Sequence, residues 1–235
     1  MSWNARNFSR SFYRATALCS IASALTTLLL IFLPRFYGPA GSLDERVLFL
    51  DNPFYQLRAW TYLLHPFLVL AAALAVAAAL WRRAASLVLP GFLGFLLWAF
   101  TEAGQQTLTL TVFHRWARAW PQADAPAREI LRAQIGNYDA LWDAMFLLLL
   151  LGFLMGNVLY GIACLRERGL TRTIGLFYFG AAFLTLTGIS GELGGPSLPP
   201  FLNTWFYPLL QPTARTLIGI WLWRVEGDQS GETSL

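Results

Sequence analysis

The sequence predicts an all-α membrane protein: a bundle of six transmembrane helices with short amphipathic helices on its surface. Three observations carry this. Of 235 residues, 56% are hydrophobic and 13% charged, about half of the roughly 25% charged content of soluble chains. Apolar runs of roughly 18 residues or more recur along the chain, the length that crosses a bilayer as a helix. Where such a run turns polar, the polar residues share a helix face, as Glu102, Gln105 and Gln106 do at i, i+3 and i+4.

Residues 1–14 interleave Arg6, Arg10 and Arg14 with Trp3, Phe8, Phe12 and Tyr13, a cytoplasmic-surface lead-in with aromatics at headgroup depth. The first span, residues 15–33, is longer than the roughly 7–15 residues of a signal-peptide core. Gly38-Pro39-Ala40 makes a poor cleavage site, so the span is read as uncleaved. An outer loop follows over 36–57, in which Ser42-Leu43-Asp44-Glu45 has the capping-box pattern and predicts a short surface helix through Leu50.

Span two, 58–81, enters through Trp60 and Tyr62 and stops at Arg82-Arg83; its alanine-rich second half allows close approach of another helix. Span three covers 85–112. A second outer loop carries Trp116, Trp120 and Pro121, and 124–134 reads as a short capped helix on the membrane surface. Span four, 138–165, reaches the tight basic turn from Arg166 to Arg172. Span five, 173–190, ends in a Gly-rich stretch, and span six, 203–223, contains Pro208, Gln211, Pro212 and Arg215. Residues 225–235 form a polar tail with the composition of a disordered segment. A single domain, 15–224, therefore holds all six spans.

The formal net charge of +4 comes from arginine alone, for the chain has 17 arginines and no lysine. These sit at span ends rather than in one patch, which argues for membrane orientation and against a nucleic-acid partner. With the N-terminus inside, arginines 6, 10, 14, 82, 83, 166, 168, 172 and 224 crowd the cytoplasmic span ends. That places both termini in the cytoplasm and the chain in a bacterial inner membrane.

Counting from these arginines at about 1.5 Å per residue sorts the polar residues by depth. Glu102 is roughly 28 Å out, His65 roughly 25 Å and Asp143 roughly 34 Å. Arg215 lies roughly 13 Å in, level with Asn157 and one turn from Gln211. The expectation is an outward polar layer (His65, Glu102, Gln105, Gln106, Asp139, Asp143) above a deeper one (Asn157, Gln211, Arg215). Pro208 and Pro212 break backbone hydrogen bonding between the layers, which favours a cavity there.

Each residue also has a structural reading. Arg215 pairs with Glu102 or Asp143 to fix helix register, or binds a ligand, or does both. Asp139 and Asp143 sit at the positive end of helix four; His65, before Pro66, is a polar anchor near the outer surface; Asn157 bonds across helices. Gln105 and Gln106 satisfy Glu102. His65 and His114 cannot by spacing form HExxH or a haem-ligand pair, and no GxSxG, P-loop or dinucleotide motif occurs. No CxxC or Cys/His cluster supports zinc. Hence no catalytic residue, metal or cofactor is assigned.

From Asn137 onward the chain resembles a family of small bacterial six-span membrane proteins known as a domain of unknown function. The resemblance lies in Gly136-Asn137-Tyr138-Asp139, Leu151-Gly152-Phe153, Gly156 to Tyr160, the basic turn to Arg172, the small-residue-rich span five and Ile220-Trp221-Leu222-Trp223-Arg224. It covers about the second half and implies the six-span plan, with no activity, cofactor or partner. The function expected is binding or transport of a small polar or amphiphilic ligand, anionic or lipid-like, in an outward-facing cavity. Arg215 would contact its anionic group, and Glu102, Gln105 and Gln106 would supply hydrogen bonds. Membrane lipids and membrane-protein partners are the other contacts expected. The alternatives are an accessory subunit of a larger membrane complex, or a membrane enzyme using Glu102, Asp139, Asp143 or Glu192 as general acid or base.

Overall fold

The structure, a computed structural model, describes residues 8–196, 199, 202 and 206–231. The sequence features at Trp3, Arg6, 203–205 and 232–235 lie outside the described residues. Among the described residues there is no strand. The helices are α1 (Arg10–Phe32), α2 (Leu43–Leu48), α3 (Pro53–Leu108), α4 (His114–Ala119), α5 (Ala125–Leu165), α6 (Leu170–Glu192) and α7 (Tyr207–Gly231). Among the described residues, four helical stretches are long and apolar enough to cross a membrane: Arg10–Phe36, Pro53–Gln122, Ala125–Leu165 and Leu170–Glu192.

Helix α3 is one continuous run of 56 residues with non-helical φ/ψ at Ala84. A straight helix would separate His65 from Trp98 by about 50 Å, yet their rings are 6.3 Å apart and edge-on. The run therefore folds back on itself at Ala84. Tyr160 confirms the hairpin, since its ring lies where a Cβ on Gly91 would project while its hydroxyl donates to the carbonyl of Ala73 at 2.9 Å. The corner holds Arg82 and Arg83, and Arg83 pairs with Glu167 at 2.6 Å, so it shares one end with the α5–α6 turn. That turn passes through Gly169 at φ +62, a conformation open to glycine.

Glycine sets the distances between helices. A Cβ on Gly94 would come within 2.8 Å of Gly152 O and Gly156 N, and one on Gly152 within 2.9 Å of Gly94 O and Trp98 N. Gly152-x-x-x-Gly156 on α5 thus lets the second arm of α3 touch it backbone to backbone, as small-xxx-small faces do in membranes. Gly161 and Gly175 bring α5 and α6 together in the same way. Helices α1 and α7 run antiparallel: Ser20 Oγ donates to Arg215 O at 2.7 Å, Gly219 faces Ala17, and Arg14 lies 5.7 Å from the Trp223 ring. Large apolar side chains such as Leu25, Leu64, Phe100, Leu176, Phe183 and Leu209 point outward while polar ones are buried, the reverse of a soluble protein.

The far end is covered by α2 and α4. Ser42 caps α2 by accepting from Glu45 N; Glu45 returns to Gly41 N at 2.6 Å rather than to the cap itself. Val47, Leu50, Phe113, Ala117, Trp120 and Tyr138 form a small core there. Trp120 Nε1 donates to Asp44 at 2.6 Å, and Arg46 Nη1 donates to both Asp139 oxygens at 2.9 Å while lying 4.2 Å from the Phe113 ring.

Several boundaries differ from the sequence reading. The second outer loop is mostly helix: α3 passes through a π-helical turn, Thr109–Phe113, into α4. The wider turn rotates Phe113, Ala117 and Trp120 onto the cap core. The surface helix expected at 124–134 is not separate, because α5 runs unbroken from its Asp124 cap; no glycine or proline breaks it between Ala127 and Gly136. Pro208 is the second residue of α7. Pro212 lies inside α7 and interrupts its backbone hydrogen-bond ladder. Finally, α7 continues to Gly231, past Arg224.

Candidate functional site

Arg215, Gln211 and Asn157 are all buried and line one cavity of about 40 Å³ at the middle of the bundle. Every long helix contributes to its wall. Helix α1 gives Ser20 and Ser23; α3 gives Ala72 from one arm and Phe95 from the other; α6 gives Tyr178. The three residues of the deeper polar layer thus line one cavity. Ser20 and Ser23 were not among the candidates; their signal was a small-residue face (Ala17, Ser20, Ala24) on an apolar span, readable as a packing face for another helix.

The wall combines one guanidinium with amides, hydroxyls and rings. Asn157 Nδ2 donates to Phe153 O at 2.7 Å, within its own helix and not across helices. The Ser20 and Ser23 hydroxyls donate to backbone carbonyls at 2.7 Å each, so they turn lone pairs rather than protons to the cavity. Pro212 lies one turn before Arg215, and its lack of an N–H leaves the Pro208 carbonyl without its intrahelical donor.

Of the outer layer, His65, Glu102, Gln105 and Gln106 are buried but lie outside that wall. Glu102 is 6% exposed, and Arg215 is near enough to act on both Glu102 and His65 electrostatically. Described ion pairs are Arg46–Asp139 and Arg83–Glu167; Arg215 acts on Glu102 across a gap rather than through a salt bridge. His65 is 3% exposed and its Nδ1 bonds Thr26 Oγ1 at 2.7 Å. It joins α3 to α1 in the interior and is not a surface anchor, because the Ala84 hairpin wraps the other arm's Trp98 over it. Gln105 does not serve Glu102; its Nε2 donates to Trp142 O at 2.8 Å and ties α3 to α5. Gln106 is buried beside it.

The aspartates on α5 separate from the site. Asp143 is exposed, since the face of α5 that meets α3 runs through Tyr138 and Trp142, a 100° step away. Asp139 pairs with Arg46 in the cap. Neither lies at a helix start, because α5 begins at Ala125. Glu192 is exposed as well, so Glu102, Asp139, Asp143 and Glu192 share no cleft. Among the described residues no three His, Cys, Asp or Glu side chains converge as metal ligands. No protein-family model, curated protein or solved structure matches the chain.

Proposed function

We propose that the chain is an integral membrane protein that binds and moves a small polar or amphiphilic ligand, whose negatively charged end is held by Arg215. The observation that carries this reading is the convergence of the buried residues Arg215, Gln211 and Asn157 on one cavity. An arginine inside an apolar bundle is costly, and such residues mark ligand or ion pathways far more often than apolar positions do. Glu102 lies beside the site, within electrostatic reach of Arg215.

The reading takes six crossings: α1, the two arms of α3, α5, α6 and α7. The fold-back at Ala84 supports counting α3 twice, and α7 supplies 25 helical residues beside α1. It also takes both termini as cytoplasmic in a bacterial inner membrane. In support, Arg14 approaches Trp223 and Arg83 meets Glu167, which gathers the arginine-rich ends on one side. The α2–α4 cap would then face outward.

The test is native mass spectrometry of the protein purified in mild detergent, compared with Arg215→Gln. A small adduct retained by the parent protein and lost from a variant with unchanged thermal unfolding supports the reading. The same adduct on both proteins, or none on either together with unimpaired function of the variant in cells, overturns it.

A further inference from the structure

We infer that the exposed face of α5 is the seam of a parallel two-fold dimer, and that the partner it takes is a second copy of this chain. The inference rests on the reading of the chain as a membrane protein and adds an interaction surface to it. Three features carry it: the length of α5, the side chains along its exposed stripe and the two solvents that stripe passes through.

Helix α5 has 41 residues, so it is about 61 Å long, twice the roughly 30 Å of a bilayer core. Its charges say which half crosses. Residues 144–165 hold no charged side chain, whereas 125–143 hold Arg128, Glu129, Arg132, Asp139 and Asp143. The first stretch is about 33 Å long and fits the core. The second stands about 28 Å beyond it, packed on one side against the cap core through Ile135 and Tyr138.

Another side of α5 stays exposed through both halves. It carries Ile130, Ala133, Asn137, Ala140, Ala144 and Leu151. Ile130, Asn137, Ala144 and Leu151 are seven residues apart, with Ala133 and Ala140 between them, which is the a and d spacing of a coiled-coil seam. Alanine at 133, 140 and 144 lets a second backbone come close. Acyl chains can cover Leu151, 46% exposed, but not Ile130, 62% exposed and about 21 Å above the core. A partner that follows the stripe through both solvents is itself a membrane helix with an overhang of matching length. A second α5 has both. Insertion in one orientation makes the two helices parallel, and a two-fold axis along the membrane normal sets each stripe residue against its own counterpart.

The polar groups fit the same arrangement. Asn137 is the one polar side chain of the six and falls at an a position, where a paired asparagine fixes register and the number of strands. It stands about 10 Å outside the core, so its amide keeps water within reach. Charge does not oppose the pairing. Arg128 and Arg132 are turned to the other side of the helix, each 5.6 Å from the Trp120 ring. Glu129 and Gln134 flank the stripe; in a parallel pair the Glu129 carboxylate of one copy faces the Gln134 amide of the other.

The experiment is disulfide cross-linking of the full-length protein in isolated membranes, followed by native mass spectrometry in mild detergent. The parent chain, with Cys19 and Cys164, is the blank. Ala133→Cys should link into a covalent dimer, because facing d positions bring their Cα atoms within the roughly 4.4–6.8 Å that a disulfide spans. Arg132→Cys, one residue away on the far side, should not. Ala140→Arg sets two guanidiniums face to face at a position exposed in the single chain. It should weaken the dimer by about tenfold or more. Linking through Ala133→Cys alone, together with loss of the dimer in Ala140→Arg, supports the inference. A monomer throughout, equal linking from both cysteines, a dimer indifferent to Ala140→Arg, or a trimer or larger ring overturns it. So does an unlike chain that shields Ala133→Cys from a thiol reagent while no homodimer forms. Those results, obtained on a chain that fractionates with membranes, leave the membrane reading standing. A chain absent from the membrane fraction removes that reading and the seam with it.

Discussion

Two glycine-to-alanine changes in the same helix should have opposite signs. Gly136 and Gly152 both lie in α5, and alanine is the better helix former by about 0.5–1 kcal/mol. A Cβ at Gly136 meets nothing within 4 Å, so Gly136→Ala should stabilise by that amount. A Cβ at Gly152 would come within 2.9 Å of Gly94 O and of Trp98 N. Carbon contacts prefer about 3.5–4.0 Å, so the second arm of α3 must back away from α5 by roughly half an ångström or more. Both obstacles are backbone atoms and cannot rotate aside. Overpacking of this kind costs about 1–3 kcal/mol; less the propensity gain, the net loss is about 1–2 kcal/mol. Membrane helices associate by packing rather than by expulsion from water, so widening this contact has little to offset it. Reversible unfolding in mixed detergent, followed by far-UV circular dichroism, measures both variants against the parent. If Gly152→Ala is as stable as the parent, or if both changes shift stability in the same direction, the account of the α3–α5 contact is wrong.

Other substitutions test other parts. Arg46→Ala should cost about 1–2 kcal/mol, from a half-exposed ion pair plus the cation–π contact with Phe113 at 4.2 Å. Asp139→Asn removes only the pair and should cost less than about 1 kcal/mol; equal losses would refute the role of the ring. Tyr160→Phe deletes the bond to Ala73 O and nothing else, so a loss of about 1 kcal/mol is expected, read in the same unfolding assay. Asp143 is exposed and touches none of the cavity wall. Asp143→Asn should leave stability within about 0.5 kcal/mol and retained ligand unchanged by native mass spectrometry; a lost ligand would return Asp143 to the site.

How much of the site could be read from the chain differs from residue to residue. Arg215, Gln211 and Asn157 were found by counting from span-end arginines, because helical rise is fixed and converts position into depth. The same count brought His65 to the level of Glu102 but could not say what it would touch. Its partner Thr26 belongs to another helix, and no spacing along one segment reports on the rotation of a second. Asp143 failed for the same reason: depth is readable, azimuth is not. The Ser42 cap was legible because its bond is local. The continuity of α5 was obscured by Asn137 and Asp139, which read as a helix start; the helix runs through both, with Asn137 exposed and Asp139 paired with Arg46 of α2.

By itself the sequence determined the helical class, the apolar lengths, the arginine-marked ends and the polar side chains that could not face outward. These follow from composition and from the fixed geometry of a single helix, in which each backbone group is satisfied by its own segment. Only the tertiary structure decided that α3 doubles back at Ala84, that Gly94 and Gly152 set the distance between its second arm and α5, and that Ser20 and Ser23 share a cavity with Arg215. Those depend on how helices rotate and approach one another, which is fixed by the simultaneous fit of many side chains from segments far apart in the chain.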